Sequence, residues 1–150
     1  MLRDVIVRLA ISGVGVVVGI LGFFVLFVGY GNPDVGFWSV LASALAAVCF
    51  HLHWVKGKDS LEGWHTTVTL RNITHVGFVS GVIGSTLVIW YLFLTFYNNI
   101  PSPPISESTV ISAVWAFICA KWGFILMYYG NHYEIIIRDG PSAILAQDGA

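Results

Sequence analysis

The chain has 150 residues, of which 57% are hydrophobic and 10% charged, whereas soluble domains carry about a quarter charged residues. That composition excludes an ordinary water-soluble domain and indicates a protein of the lipid bilayer. A formal net charge of −1 gives no bulk attraction to nucleic acid, so the charges inform through their positions.

No charge interrupts the apolar sequence between Arg8 and Asp34, and about 20 apolar residues suffice to cross the hydrocarbon core. A first membrane helix is predicted over 9–30. It is too long for a cleaved signal peptide and has no clear small-residue cleavage site, so it is expected to be retained. Its Gly13, Gly15, Gly19 and Gly22 include a pair four residues apart, the spacing that lets membrane helices approach closely. The turn "GNPD" follows, favoured by Asn-Pro and glycine, and makes the second helix an antiparallel neighbour.

That second helix is predicted over 36–55. Ser39, Ala42, Ser43, Ala46 and Ala47 give it a small-residue face, and it ends in His51-Leu52-His53. Residues i and i+2 point about 200° apart on a helix, so these imidazoles do not converge on one ion unless the helix ends there. No Cys, Asp or Glu stands beside them to complete a tetrahedral zinc site. A heme iron needs only one or two nitrogen ligands and an apolar aromatic wall, which suits them better.

A polar segment, "KGKDSLEGWHTTVTL", leads to a third helix predicted over 73–97, with Gly77, Gly81 and Gly84 on it. These glycine faces serve packing within the unit or self-association into a homo-oligomer. Next, "NNIPSPPISE" cannot be helical across Pro103 and Pro104, and Ser106 or Ser108 is expected to cap a fourth helix. That helix is predicted over 108–129, with a tail over 130–150. Cys49 and Cys119 fall inside spans and read as small core residues.

Arg3, Arg8, Lys56, Lys58, Arg71 and Arg138 fall in segments that four spans place on one side, while 31–34 and 98–107 hold no Lys or Arg. The positive-inside rule puts both termini in the cytosol. The fold class is thus an all-α membrane protein, a bundle of four transmembrane helices forming one domain over 1–150. His51, His53, His65, His75 and His132 all lie at or near the cytosolic side.

Lys121 interrupts the fourth helix. Turning 100° per residue from it, Val114, Phe117, Ile118, Phe124, Ile125 and Tyr128 share its side, and His132 joins them if the helix runs on. An ammonium facing lipid is costly, so this face is expected to turn into the bundle. No acid stands in the middle of another span. Its partner is then either a hydroxyl such as Ser39, Ser43, Ser80 or Ser85, or an anion carried by a ligand.

The stretch "SAVWAFICAKWGFILMYYGNHY", 112–133, resembles the fourth helix and tail motif of the heme-responsive-gene family of eukaryotic heme transporters. The pattern rests on Ser112, Trp115, Phe117, Lys121 and Trp122, followed by Tyr129-Gly130-Asn131-His132-Tyr133. Two departures stand out: Asn131 and His132 replace the tail's basic residues, and the exoplasmic loop lacks a histidine. The resemblance implies transport of heme from an exoplasmic or endolysosomal lumen to the cytosol, in the plasma or an endolysosomal membrane. It implies a heme contact at His51 or His53, stacking on Trp115, Phe117, Trp122 and Phe124, and a propionate pair at Lys121. It also implies transient iron contacts from His132 and from Tyr128, Tyr129 or Tyr133. No phosphate-binding loop is present, so an ATP- or dinucleotide-dependent enzyme is not expected. Two rivals are a b-type cytochrome subunit, which needs facing histidines at depth, and a tetraspan accessory protein without ligand.

Overall fold

Local chemistry sets the helix ends. Gly31 takes φ +74°, a left-handed conformation open to glycine. Asn32 then caps the next helix by accepting the Val35 N–H at 3.2 Å, and Pro33 fills the first turn, where no intrahelical bond is lost. In the computed structural model, α1 spans Leu2–Gly22 and continues as a π-helix over Phe23–Gly29; α2 spans Pro33–Gly57, α3 Leu61–Trp64, α4 Thr67–Tyr97 and α5 Thr109–Asp148. The structure describes residues 2–100 and 108–148, and among them every regular element is helical.

Four of these helices are long and apolar enough to cross a membrane, which gives the expected four-helix multi-pass bundle. About half of the most apolar stretch is buried in α2 (56%) and α5 (50%), against 17% in α1 and in α4. α2 and α5 are therefore the central helices, with α1 and α4 on the outside. α1 packs on α2, α2 on α5, and α5 on α4.

Lipid is as apolar as a protein core, so close packing rather than hydrophobicity draws membrane helices together. A Cβ on Gly123 of α5 would lie 2.6 Å from the Gly81 nitrogen of α4, and one on Gly77 would lie 2.6 Å from the Met127 nitrogen. Gly15 and Gly22 of α1 lie beneath the Trp122 and Trp115 rings, and Gly19 lies against Ser39 and Ser43. These glycine faces thus pack inside the chain. Leu45, Ala46, Cys49, Leu52, Ala116, Cys119 and Leu126 fill the seam between the central helices, and both cysteines are free and buried.

Several predicted boundaries need correction. α1 begins at Leu2 rather than 9, and α4 begins at Thr67 rather than 73, where Thr66 accepts the Thr69 N–H at 3.3 Å. α5 does not stop at 129; the segment expected as a tail is helical to Asp148. The added turns of α4 give it a surface to pack on. A Cβ on Gly130 would meet the Thr74 hydroxyl at 2.6 Å, Tyr133 and Glu134 are buried, and Glu134 pairs with Arg71 at 2.9 Å. Ser108 caps α5 as expected, accepting the Ile111 N–H at 3.4 Å; Ser106 lies outside the described residues.

Arg8, Lys56, Arg71 and Glu134 gather at one end of the bundle through their contacts with α2, α4 and α5. At the other end the Asn32 amide donates to the Ser108 carbonyl at 3.5 Å, and Trp38 Nε1 donates to Tyr91 Oη at 3.1 Å.

Candidate functional site at the basic end of the bundle

Tyr129 and Tyr133 stand four residues apart on α5 and so share one helix face. That face meets the last turns of α2, where His53 points inward. His53 Nδ1 lies 2.8 Å from Tyr133 Oη, and each residue is 2% exposed. The phenol donates when Nδ1 is unprotonated and accepts when it carries the proton. The His53 ring also meets Tyr129 edge to face, with centroids 4.5 Å apart. From α1, the Arg8 guanidinium lies over the Tyr129 ring at 5.2 Å, within cation–π range.

Beside this cluster a cavity of about 660 Å³ opens between α1, α2 and α5. Tyr133 and His132 line it from α5, Arg8 from α1 and Lys56 from α2, while Asp4 and Asp59 supply opposing charge. His132 is exposed and stacks parallel to Tyr128, at 6.0 Å and 4°. The lining thus combines imidazole and phenol groups, two cations, two carboxylates and an apolar wall of Val5 and Ile136.

His51 turns the other way, as the i, i+2 spacing requires. Its ring packs edge-on against Trp64 and His65, at 5.5 and 5.3 Å. Both ring nitrogens of His65 are shielded without a hydrogen-bond partner; burial and the neighbouring His51 lower its pKa from the usual 6.5. Among the described residues no three His, Cys, Asp or Glu are grouped to hold a metal ion.

The Lys121 face is a correction. Expected inside the bundle, it turns outward: Val114, Phe117, Phe124 and Tyr128 are exposed with Lys121 itself. The opposite face, with Ala116, Cys119, Gly123 and Leu126, is the one small enough to meet α2 and α4 closely. Lys121 lies in a groove between α1 and α5, its ammonium 5.7 Å from the Trp122 ring centre. Two hydroxyls expected as its partners are engaged elsewhere, Ser39 donating to the Gly36 carbonyl and Ser43 to the Val16 carbonyl.

Of the residues singled out by sequence, the structure brings His53, Tyr129, His132 and Tyr133 together. Trp115 and Trp122 are buried against the α1 glycines, Phe117 and Tyr128 face outward with Lys121, and His51 belongs to the loop cluster. Arg8 was missed: the sequence presents it as a topology marker, yet it is the last charge before a span and reaches the tyrosines of α5. No family model matches the chain, and no solved structure matches it.

Proposed function

We propose that the protein binds heme at the basic end of the bundle and carries it across its membrane. The observation that carries this reading is the buried His53–Tyr133 pair beside an open cavity of about 660 Å³; the local resemblance in α5 agrees with it. Heme is a flat apolar disc whose iron accepts imidazole or phenolate, and its propionates pair with guanidinium and ammonium groups. Opening the His53–Tyr133 hydrogen bond frees one ligand of each kind. Arg8 and Lys56 attract the propionates, and Asp4 and Asp59 temper that attraction. Such a site suits a carrier, which must hold its cargo firmly enough to capture it and loosely enough to release it.

By the positive-inside rule the basic end is cytosolic, which makes this the exit site for heme entering from an exoplasmic or endolysosomal lumen. Residence in the plasma or an endolysosomal membrane is part of the same proposal. Support for a fixed b-type heme is weaker, because His53 is closed onto tyrosines while His75 is exposed on α4.

A hemin titration of the purified protein, followed in the Soret band, tests the binding step. His53→Ala and Tyr133→Phe are expected to weaken binding at least tenfold, with His51→Ala close to wild type. Unchanged binding by both cluster variants, or binding no stronger than that of an unrelated tetraspan protein, defeats the reading. Growth rescue of a heme-auxotrophic host by wild type but not by His53→Ala tests the transport step.

A further inference from the structure

We infer that the groove between α1 and α5 is a docking surface for a transmembrane helix of a partner protein that carries a carboxylate at mid-depth, with Lys121 as its counter-charge. Lys121 stands thirteen residues from Ser108 and thirteen from Glu134, about 20 Å of helix in each direction. Toward the basic end, Tyr129, which carries the Arg8 guanidinium on its ring, is only eight residues away, about 12 Å, so against a hydrocarbon core about 30 Å thick Lys121 lies inside the core on the basic side of its centre, and a lysine stem closes only part of the distance to either surface. The residue is exposed, and among the described residues it makes no ion pair. A charge so placed is among the most unfavourable in a bilayer, and intramembrane charges resolve that by pairing.

The geometry separates the candidate partners. A lipid headgroup lies about 15 Å from the midplane, half the core thickness, so an anionic lipid meets the ammonium only with the lysine stem stretched toward the basic end, whereas a carboxylate on a neighbouring helix meets it in place. A second copy brings no counter-charge: the chain's acids are Asp4, Asp34, Asp59, Glu62, Glu107, Glu134, Asp139 and Asp148, none of them at mid-depth in a span. Two copies meeting here would oppose lysine to lysine. The groove itself has a volume of about 420 Å³, and Ile118 and Trp122 flank Lys121 in it. Ala10, Ile11, Val14, Gly15 and Val18 line it from α1, and their spacing is one continuous helix face. An apolar helix laid along that face brings a central Asp or Glu against Lys121.

The probe is a synthetic 24-residue Leu/Ala helix with one central Asp, carrying an acceptor dye, in phosphatidylcholine vesicles. The full-length protein carries a donor at Gly63→Cys, where an added side chain meets nothing within 4 Å. Energy transfer is expected to show the Asp helix associating at least tenfold more tightly than an all-apolar helix or one with Asp moved two turns toward its end. Lys121→Met should remove that advantage, and Lys121→Asp should restore it for a helix with a central Lys. Equal association of the Asp and apolar helices overturns the inference, as does an unaltered preference in Lys121→Met. Loss of the preference on adding phosphatidylserine at constant ionic strength assigns the site to a headgroup and overturns it. Self-association of the protein alone that depends on Lys121 overturns it in favour of a second copy. Thermal unfolding in detergent guards against a folding defect: Lys121→Met is expected to be as stable as wild type or more so. A loss of stability recovered by Lys121→Arg would show an internal role and overturn the inference.

Discussion

Replacing Tyr133 by phenylalanine removes one oxygen atom and leaves the ring volume almost unchanged. His53 Nδ1 then loses a partner at 2.8 Å in a site where imidazole and phenol are each 2% exposed. With the imidazole buried, the variant bears the desolvation of an unpaired nitrogen, about 1–3 kcal/mol, toward the low end if water enters from the cavity that Tyr133 lines. The sign of a second change distinguishes this account from loss of packing. His53→Leu added to Tyr133→Phe removes both polar groups, and an apolar pair of similar shape is close to neutral. The double variant should therefore be more stable than the sum of the single changes predicts, with a coupling of about 1 kcal/mol or more. Titration of the micellar protein with sodium dodecyl sulfate, followed by tryptophan fluorescence, measures all four corners of the cycle. Agreement with additivity within about 0.3 kcal/mol would refute the reasoning, because it would mean that the imidazole reaches water in the native state.

Three further outcomes are expected. Gly123→Val should destabilise the α4–α5 pair by about 1–3 kcal/mol, since even a Cβ lies 2.6 Å from the Gly81 nitrogen. Gly63→Ala, with open space around it, should stay within about 0.5 kcal/mol; equal effects in the same titration would reject the close approach. Arg71→Gln should cost about 1–2 kcal/mol by stranding the Glu134 carboxylate, a figure kept modest because the Arg71 side chain is 56% exposed. Glu134→Gln should cost less, and the reverse order would show that the carboxylate is well solvated. His65 has a folded pKa below 6.5, so the unfolded chain takes up the proton first as pH falls. Its contribution to stability is thus complete above pH 6.5 and declines as pH drops below it toward the folded value. His65→Gln should flatten the pH dependence of unfolding in that window, and identical slopes would reject the assignment.

The spans and turns were legible because their signals are local. Charge-free intervals located the four membrane helices, Asn32-Pro33 marked the first turn, and Ser108, one of two serines offered as the cap, caps α5. The divergence of His51 and His53 followed from helical geometry alone. The facing of Lys121 did not, because burial energy in a bilayer does not separate a core face from a lipid face. The better guide was the small residues opposite it, Ala116, Cys119 and Gly123, which decide where another backbone comes near. The length of α5 was also hidden: Tyr133 and Glu134 stay helical because α4 extends to Thr67 and supports them. Arg8 joined the site through a contact with α5 that no spacing within α1 encodes.

The order in which the helices pack bears on how the molecule is assembled. α1 pairs with α2, and α4 with α5, so the closest backbone approaches involve neighbours in sequence, and the α2–α5 seam joins two helical hairpins. Membrane proteins can form stable helices first and dock them afterwards, and here the natural docking units are those two hairpins. The His53–Tyr133, Asn32–Ser108 and Trp38–Tyr91 bonds all cross from one hairpin to the other, so on that route all three form when the hairpins dock. Trp115 and Trp122 come to rest on α1 glycines in that same step, which makes their fluorescence a clock for hairpin docking, separate from the earlier folding of each hairpin.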